Sequence, residues 1–199
     1  MNSIGGNFMT GRKEQTRILA LGAVFTALVI ILQLMGSFIR FGPFAISLVL
    51  VPIVIGAATC GYKIGAWLGF IFGVVVLASG DAAPFLAIDV FGTVLTVLLK
   101  GTACGFAAGL AYEALKKYNR YLAVIAAAIV CPVVNTGVFL LGCLVFFMEA
   151  ISEWGLSAGF NNVAAYMFLG LAGGNFLFEL ASNVVLSPVI VRVLNIFKK

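Results

Sequence analysis

The charges that could do chemistry gather in and around one stretch, Gly80–Gly101, GDAAPFLAIDVFGTVLTVLLKG. Asp81 and Asp89 open it, an apolar run follows, and Lys100 comes near its end. Apolar character continues past Lys100 through GTACGFAAGLAY, so the lysine lies inside a hydrophobic segment. A charge at that depth costs about 2.5–3.5 kcal/mol on insertion scales and usually faces a partner or a cavity. Glu179 is buried in the same way within the last apolar segment. At about 1.5 Å per residue, Lys100 comes about 20 Å along its helix from Ala87, and Glu179 about 24 Å along its own from Val163. The two levels match, and a buried ion pair between Lys100 and Glu179 is expected, either as a brace or as a relay coupled to ligand release.

Uncharged polar residues inside the apolar segments concentrate in the C-terminal half, with Thr93, Thr96 and Thr102, then Asn135 and Thr136, then Asn175, Ser182, Asn183 and Ser187. An amide both donates and accepts, which suits a neutral ligand bearing hydroxyls or amides, although bonding between helices explains it equally well. Ligand contacts are expected from Arg40, Asp89, Thr93, Asn135, Tyr166 and Asn175. The aromatics near the rim, Phe41, Phe44, Phe85, Trp154 and Phe160, read mainly as interface anchors.

Catalysis is not expected. The chain has no histidine, hence no H-E-x-x-H motif, and it carries no G-x-S-x-G elbow and no G-x-x-x-x-G-K-[ST] phosphate loop. Asp81 and Asp89 lack a third group to work with. Cys60, Cys104, Cys131 and Cys143 form no CxxC pair and read as small buried hydrophobes, so neither a metal nor a cofactor is expected. Any ATP-driven work requires another chain.

The elements that position these residues follow from composition. The 199 residues are 63% hydrophobic and 10% charged, against about 45–50% and about 25% in a soluble domain. Six apolar segments stand out, about Ile18–Phe38, Ala45–Cys60, Ile64–Ala78, Phe85–Tyr112, Leu122–Met148 and Val163–Ile196. In lipid these can only be helices. The expected fold is an all-α integral membrane protein, one compact bundle of six transmembrane helices over residues 1–199, with 1–17 a polar cytoplasmic segment. If both termini are cytoplasmic, the inner side carries Arg12, Lys13, Arg17, Lys63, Lys116, Lys117, Arg120, Arg192, Lys198 and Lys199, while the outer loops carry only Arg40. That bias fixes the expected orientation and a multi-pass place in the plasma membrane. Gly61, Gly65, Gly69 and Gly73 give the third segment a glycine face, and Gly101, Gly105 and Gly109 repeat it in the fourth. Such faces permit close helix contact. The stripe Ala20, Ala23 and Ala27 serves either internal packing or a partner protein.

These features together resemble the substrate-binding S components of energy-coupling-factor (ECF) vitamin transporters. The segments from Gly42 to Ile88, LLKGTACGFAAGL, IVCPVVNTGVFLLGCLVFF and FLFELASNVVLSPVIVRVL look like the branch containing pantothenate and related vitamin carriers. The resemblance covers nearly the whole chain. It implies capture of a small water-soluble vitamin at the outer side, pantothenate first. It also implies docking through the first three helices, at Ala20, Ala23 and Ala27, onto a transmembrane coupling subunit energised by two ATPase subunits. No nucleic-acid partner is implied. Four acids at the outer rim against one arginine keep a pyridoxine- or pyridoxamine-type vitamin open as an alternative. A transporter driven by protons through Lys100 and Glu179 is the rival of another class.

Overall fold

The computed structural model describes the backbone of residues 4–38, 40–41, 44–45 and 48–196, and the side chains of 15–37 and 48–192. Among the described residues the chain is helical apart from a small antiparallel ribbon, β1 (Arg40–Phe41) against β2 (Phe44–Ala45). The helix α1 runs over Ile4–Phe38, so the polar N-terminal residues continue the first apolar helix without a break. After the ribbon come α2 (Leu50–Cys60) and α3 (Tyr62–Ala78), separated by Gly61 at φ 92°. Only glycine takes that left-handed conformation cheaply, and it lets two apolar helices meet with no loop between them.

The expected fourth segment divides. A short α4 (Ala83–Leu86) precedes α5 (Val90–Leu115), because Asp89 is extended at φ −145°, ψ 110° and starts the longer helix. The fifth segment is α6 (Arg120–Phe146), begun by Asn119, whose side chain accepts from the N–H groups of Tyr121 and Leu122 at 2.8 and 3.3 Å. Phe147 then leaves helical geometry and α7 (Met148–Ser157) follows. The last segment is α8 (Val163–Ala165), a π-helical stretch over Tyr166–Gly173, and α9 (Gly174–Ile196).

Four described helical stretches are long and apolar enough to cross a membrane: Gln15–Ser37, Val90–Leu115, Arg120–Phe146 and Val163–Arg192. The apolar helices α2 and α3 are shorter.

The helix α5 packs between α3 and α6. The two glycine faces seen in the sequence meet here. A Cβ on Gly69 would strike the carbonyl oxygen of Gly101, one on Gly105 would strike that of Gly65, and one on Gly73 would lie 2.9 Å from that of Val97. The helices therefore touch backbone to backbone, which only small residues allow. Around this seam the main core gathers Ile53, Leu68, Phe72, Val97, Cys104, Val124 and Cys131. A second cluster, Cys143, Phe147, Ile151 and Met167, joins α6, α7 and the π stretch.

Candidate functional site: a polar-ended cavity beside Lys100

A cavity of about 220 Å³ lies where α1, α3, α5, α6 and the start of α9 converge. Its walls are mostly apolar, from Phe72 and Val76 of α3, Phe85 of α4, Val97 of α5, Phe139 of α6, and Leu171 and Ala172 of the π stretch. Its polar groups are few: Gln33, Asp81, Lys100, Asn135, Thr136 and Asn175. Apolar walls with a few convergent polar groups are the usual make-up of a small-molecule site. The volume falls below the roughly 300–1,000 Å³ typical of drug-sized ligands, so the occupant must be small.

Lys100 reaches this cavity from the middle of α5. Its Nζ stands 5.7 Å from the centre of the Phe72 ring and 5.3 Å from that of Phe139. Each ring face attracts a cation by about 0.5–2 kcal/mol when water is excluded. The aromatic pair holds the ammonium in the wall and leaves it a strong donor toward the cavity.

Asn135 and Asn175 join Lys100 in the lining from two other helices, α6 and α9. The Asn175 Nδ2 donates to Glu179 Oε1 at 3.1 Å, one helical turn along α9. The Asn135 Nδ2 donates to Glu179 Oε2 from α6 at 3.5 Å, the outer limit of a hydrogen bond. Glu179 itself is 2% exposed and stands behind the two amides. With the amino groups so engaged, the Oδ1 atoms of both asparagines are buried without a hydrogen-bond partner. Leaving such an acceptor unmet costs about 1–3 kcal/mol.

The expected contact between Lys100 and Glu179 takes another form. Their charges attract, but no direct ion pair joins them among the described residues. Lys100 lies against aromatic rings, and Glu179 binds amides.

At the other end, Asp81 ties the loop after α3 to α1. Its Oδ2 accepts from Gln33 Nε2 at 2.9 Å, from Ser79 Oγ at 3.0 Å and from Ser37 Oγ. Above it, Phe85 makes edge-on contacts with Phe139, Phe147 and Trp154 at 5.6, 5.1 and 5.5 Å. Of these rings, Phe85 and Phe139 line the cavity.

Of the six ligand contacts expected from sequence, Asn135 and Asn175 line the cavity. Asp89, Thr93 and Tyr166 are not among its lining residues. Asp89 sits at the N-terminal boundary of α5 without a side-chain capping bond, and the buried Thr93 donates its hydroxyl to the Asp89 carbonyl at 2.6 Å. Tyr166 packs on Phe160 at 5.4 Å and fills the space left by Gly155 and Gly170. The Arg40 backbone lies in β1, but its side chain is outside the described residues. Gln33 was missed. The signal was available, since it is the lone amide in the apolar run LVIILQLM.

The alanine stripe is exposed. Gly22, Phe25, Val29 and Gln33 turn the inner face of α1 to the bundle, while Ala20, Ala23 and Ala27 face outward. Beside them a shallow apolar groove is lined by Leu19, Gly22, Ala23, Thr26, Ile64 and Trp67. The Trp67 Nε1 donates to Thr26 Oγ1 at 3.3 Å and links α3 to α1.

Comparison with known proteins gives two matches. The family model described as "ECF transporter, substrate-specific component" matches residues 17–193. A curated relative, the pantothenic acid transporter PanT of Lactococcus lactis subsp. cremoris (strain MG1363), is 26% identical over 199 residues, covering 92% of this chain and 96% of the relative. No solved structure gives a significant match.

Proposed function

The chain belongs to the family of substrate-specific components of ECF transporters, and from that premise we propose that its cavity captures pantothenate. The observation that carries the proposal is Lys100, an ammonium held between two rings in the wall of an otherwise apolar cavity. A carboxylate is the ligand group that such a cation attracts. The unmet Oδ1 acceptors of Asn135 and Asn175 suit hydroxyl and amide protons, and Val76, Val97 and Leu171 suit methyl groups. Pantothenate carries all of these. The named substrate of the curated relative points the same way.

A pyridoxamine-type cation is the second reading, favoured by Asp81 in the same wall. It is the weaker one, because Asp81 Oδ2 already accepts from Gln33, Ser37 and Ser79. Proton-driven transport through Lys100 and Glu179 yields to a family whose members supply substrate specificity to a transporter.

In this reading the whole chain is one domain that passes the membrane six times, α2 and α3 being the short passages. Both termini are cytoplasmic and the cavity end faces out. Delivery inward requires a transmembrane coupling subunit and two ATPase subunits, met through the outward face of α1 at Ala20, Ala23 and Ala27.

Two expected outcomes test these parts separately. Asn135→Ala and Asn175→Ala should each weaken pantothenate binding to purified protein about tenfold, the worth of one good hydrogen bond in a dry site. Undiminished affinity in both would remove α6 and α9 from the site. Ala23→Trp should leave that affinity unchanged, while co-purification with an ECF module and uptake into cells fall at least about tenfold. Normal uptake would place docking elsewhere.

A further inference from the structure

We propose that Glu179 is a positioning residue that sets the hydrogen-bond polarity of the cavity, by holding the amino groups of Asn135 and Asn175 and so presenting their carbonyl oxygens as acceptors. The inference rests on the reading of the cavity as the ligand site. An asparagine amide can turn either end toward its surroundings, and nothing in its own chemistry decides which. An ionised carboxylate only accepts, so it decides. Glu179 offers Oε1 to Asn175 and Oε2 to Asn135, one oxygen for each amide.

The carboxylate is itself well placed to enforce this. It is almost wholly buried, which makes its charge costly, and the positive charge of Lys100 offsets part of that cost. Its backbone carbonyl accepts from Ser182 Oγ at 3.1 Å and from Asn183 Nδ2 at 2.8 Å, which fixes the turn of α9 that carries it. The consequence is two buried, unmatched acceptors on residues of the cavity wall, with one cation in the same wall. Such a site selects a ligand with an anionic group and at least one hydroxyl or amide proton, and it rejects an analogue that lacks the proton.

The test uses Glu179→Gln in the full chain. A glutamine can both donate and accept, so at least one asparagine is free to turn. Binding is measured for pantothenate and for the analogue in which both hydroxyls are replaced by hydrogen. The expected result is a loss of about tenfold or more for pantothenate and less than about threefold for the analogue, so that the variant discriminates poorly between them. Equal losses for both compounds would overturn the inference and leave Glu179 a general structural element.

A measurement without ligand separates the inference from the reading beneath it. In protein carrying isotope-labelled asparagine, the side-chain amino signals of Asn135 and Asn175 are expected to shift in Glu179→Gln. Unmoved signals would overturn the positioning role by themselves. If wild-type protein fails to bind pantothenate while those signals shift, the proposed ligand falls and the positioning role stands.

Discussion

Replacing Lys100 by methionine is expected to lower pantothenate affinity about a hundredfold, the largest effect of any single change in the cavity. A hydrogen bond to a charged group is worth about 1.5–3 kcal/mol, and about 2.7 kcal/mol corresponds to a hundredfold. The site concentrates that contribution. Phe72 and Phe139 hold the ammonium without neutralising it, and the Glu179 carboxylate is engaged by amides instead of pairing with it directly. Methionine keeps most of the apolar stem of lysine but ends short of Nζ, so the loss reports the ammonium together with its contacts on both rings. Isothermal titration of the purified variant measures it, with a thermal melt to establish that the bundle remains folded. Binding within about threefold of wild type would mean that the cation does not read a carboxylate.

Replacing Gly69 by leucine is expected to destabilise the protein by at least about 3 kcal/mol, the upper end of the usual penalty for overpacking. Even the first carbon of the new side chain would strike the Gly101 carbonyl, which is backbone and cannot rotate aside. Relief requires α3 and α5 to separate along the whole seam, and both helices carry cavity residues, Phe72 and Val76 on one and Val97 and Lys100 on the other. Ligand binding should therefore fall together with the melting temperature. Gly137→Ala is the control, since nothing lies within 4 Å of a Cβ at that position. It should be neutral or slightly stabilising, by up to about 1 kcal/mol, because alanine is the better helix former. Melts in the same detergent compare the two. Similar melting temperatures would contradict the close packing of α3 on α5.

The seam was legible in the sequence because glycines at every fourth position make a face for close approach, within the chain or to another subunit. What sequence alone left open was which face meets which, and α3 against α5 is the answer. Lys100 was legible for a related reason, being too costly to bury without purpose. Its partners were not. Depth along a helix places two residues at one level but says nothing of the direction they point, and the rings of Phe72 and Phe139 lie on other segments. The expected ligand contacts divide along the same line. Asn135 and Asn175 both reach the cavity, Asn175 even though its amino group donates to Glu179 one turn along the same helix. Thr93 looked similar, yet a hydroxyl in a helix can turn back onto the carbonyl one turn before it, and it does. Asp89 belongs to a helix start that hydropathy could not reveal, since both sides of the break are apolar.

The central claim is that this cavity takes a carboxylate-bearing, hydroxyl-bearing vitamin. Titration of the purified wild-type chain with pantothenate, in the presence and absence of excess pyridoxine and pyridoxamine, tests it most directly. Saturable binding of one pantothenate per chain that neither competitor displaces is the expected result. Binding of pyridoxamine or pyridoxine, with none of pantothenate, would contradict it.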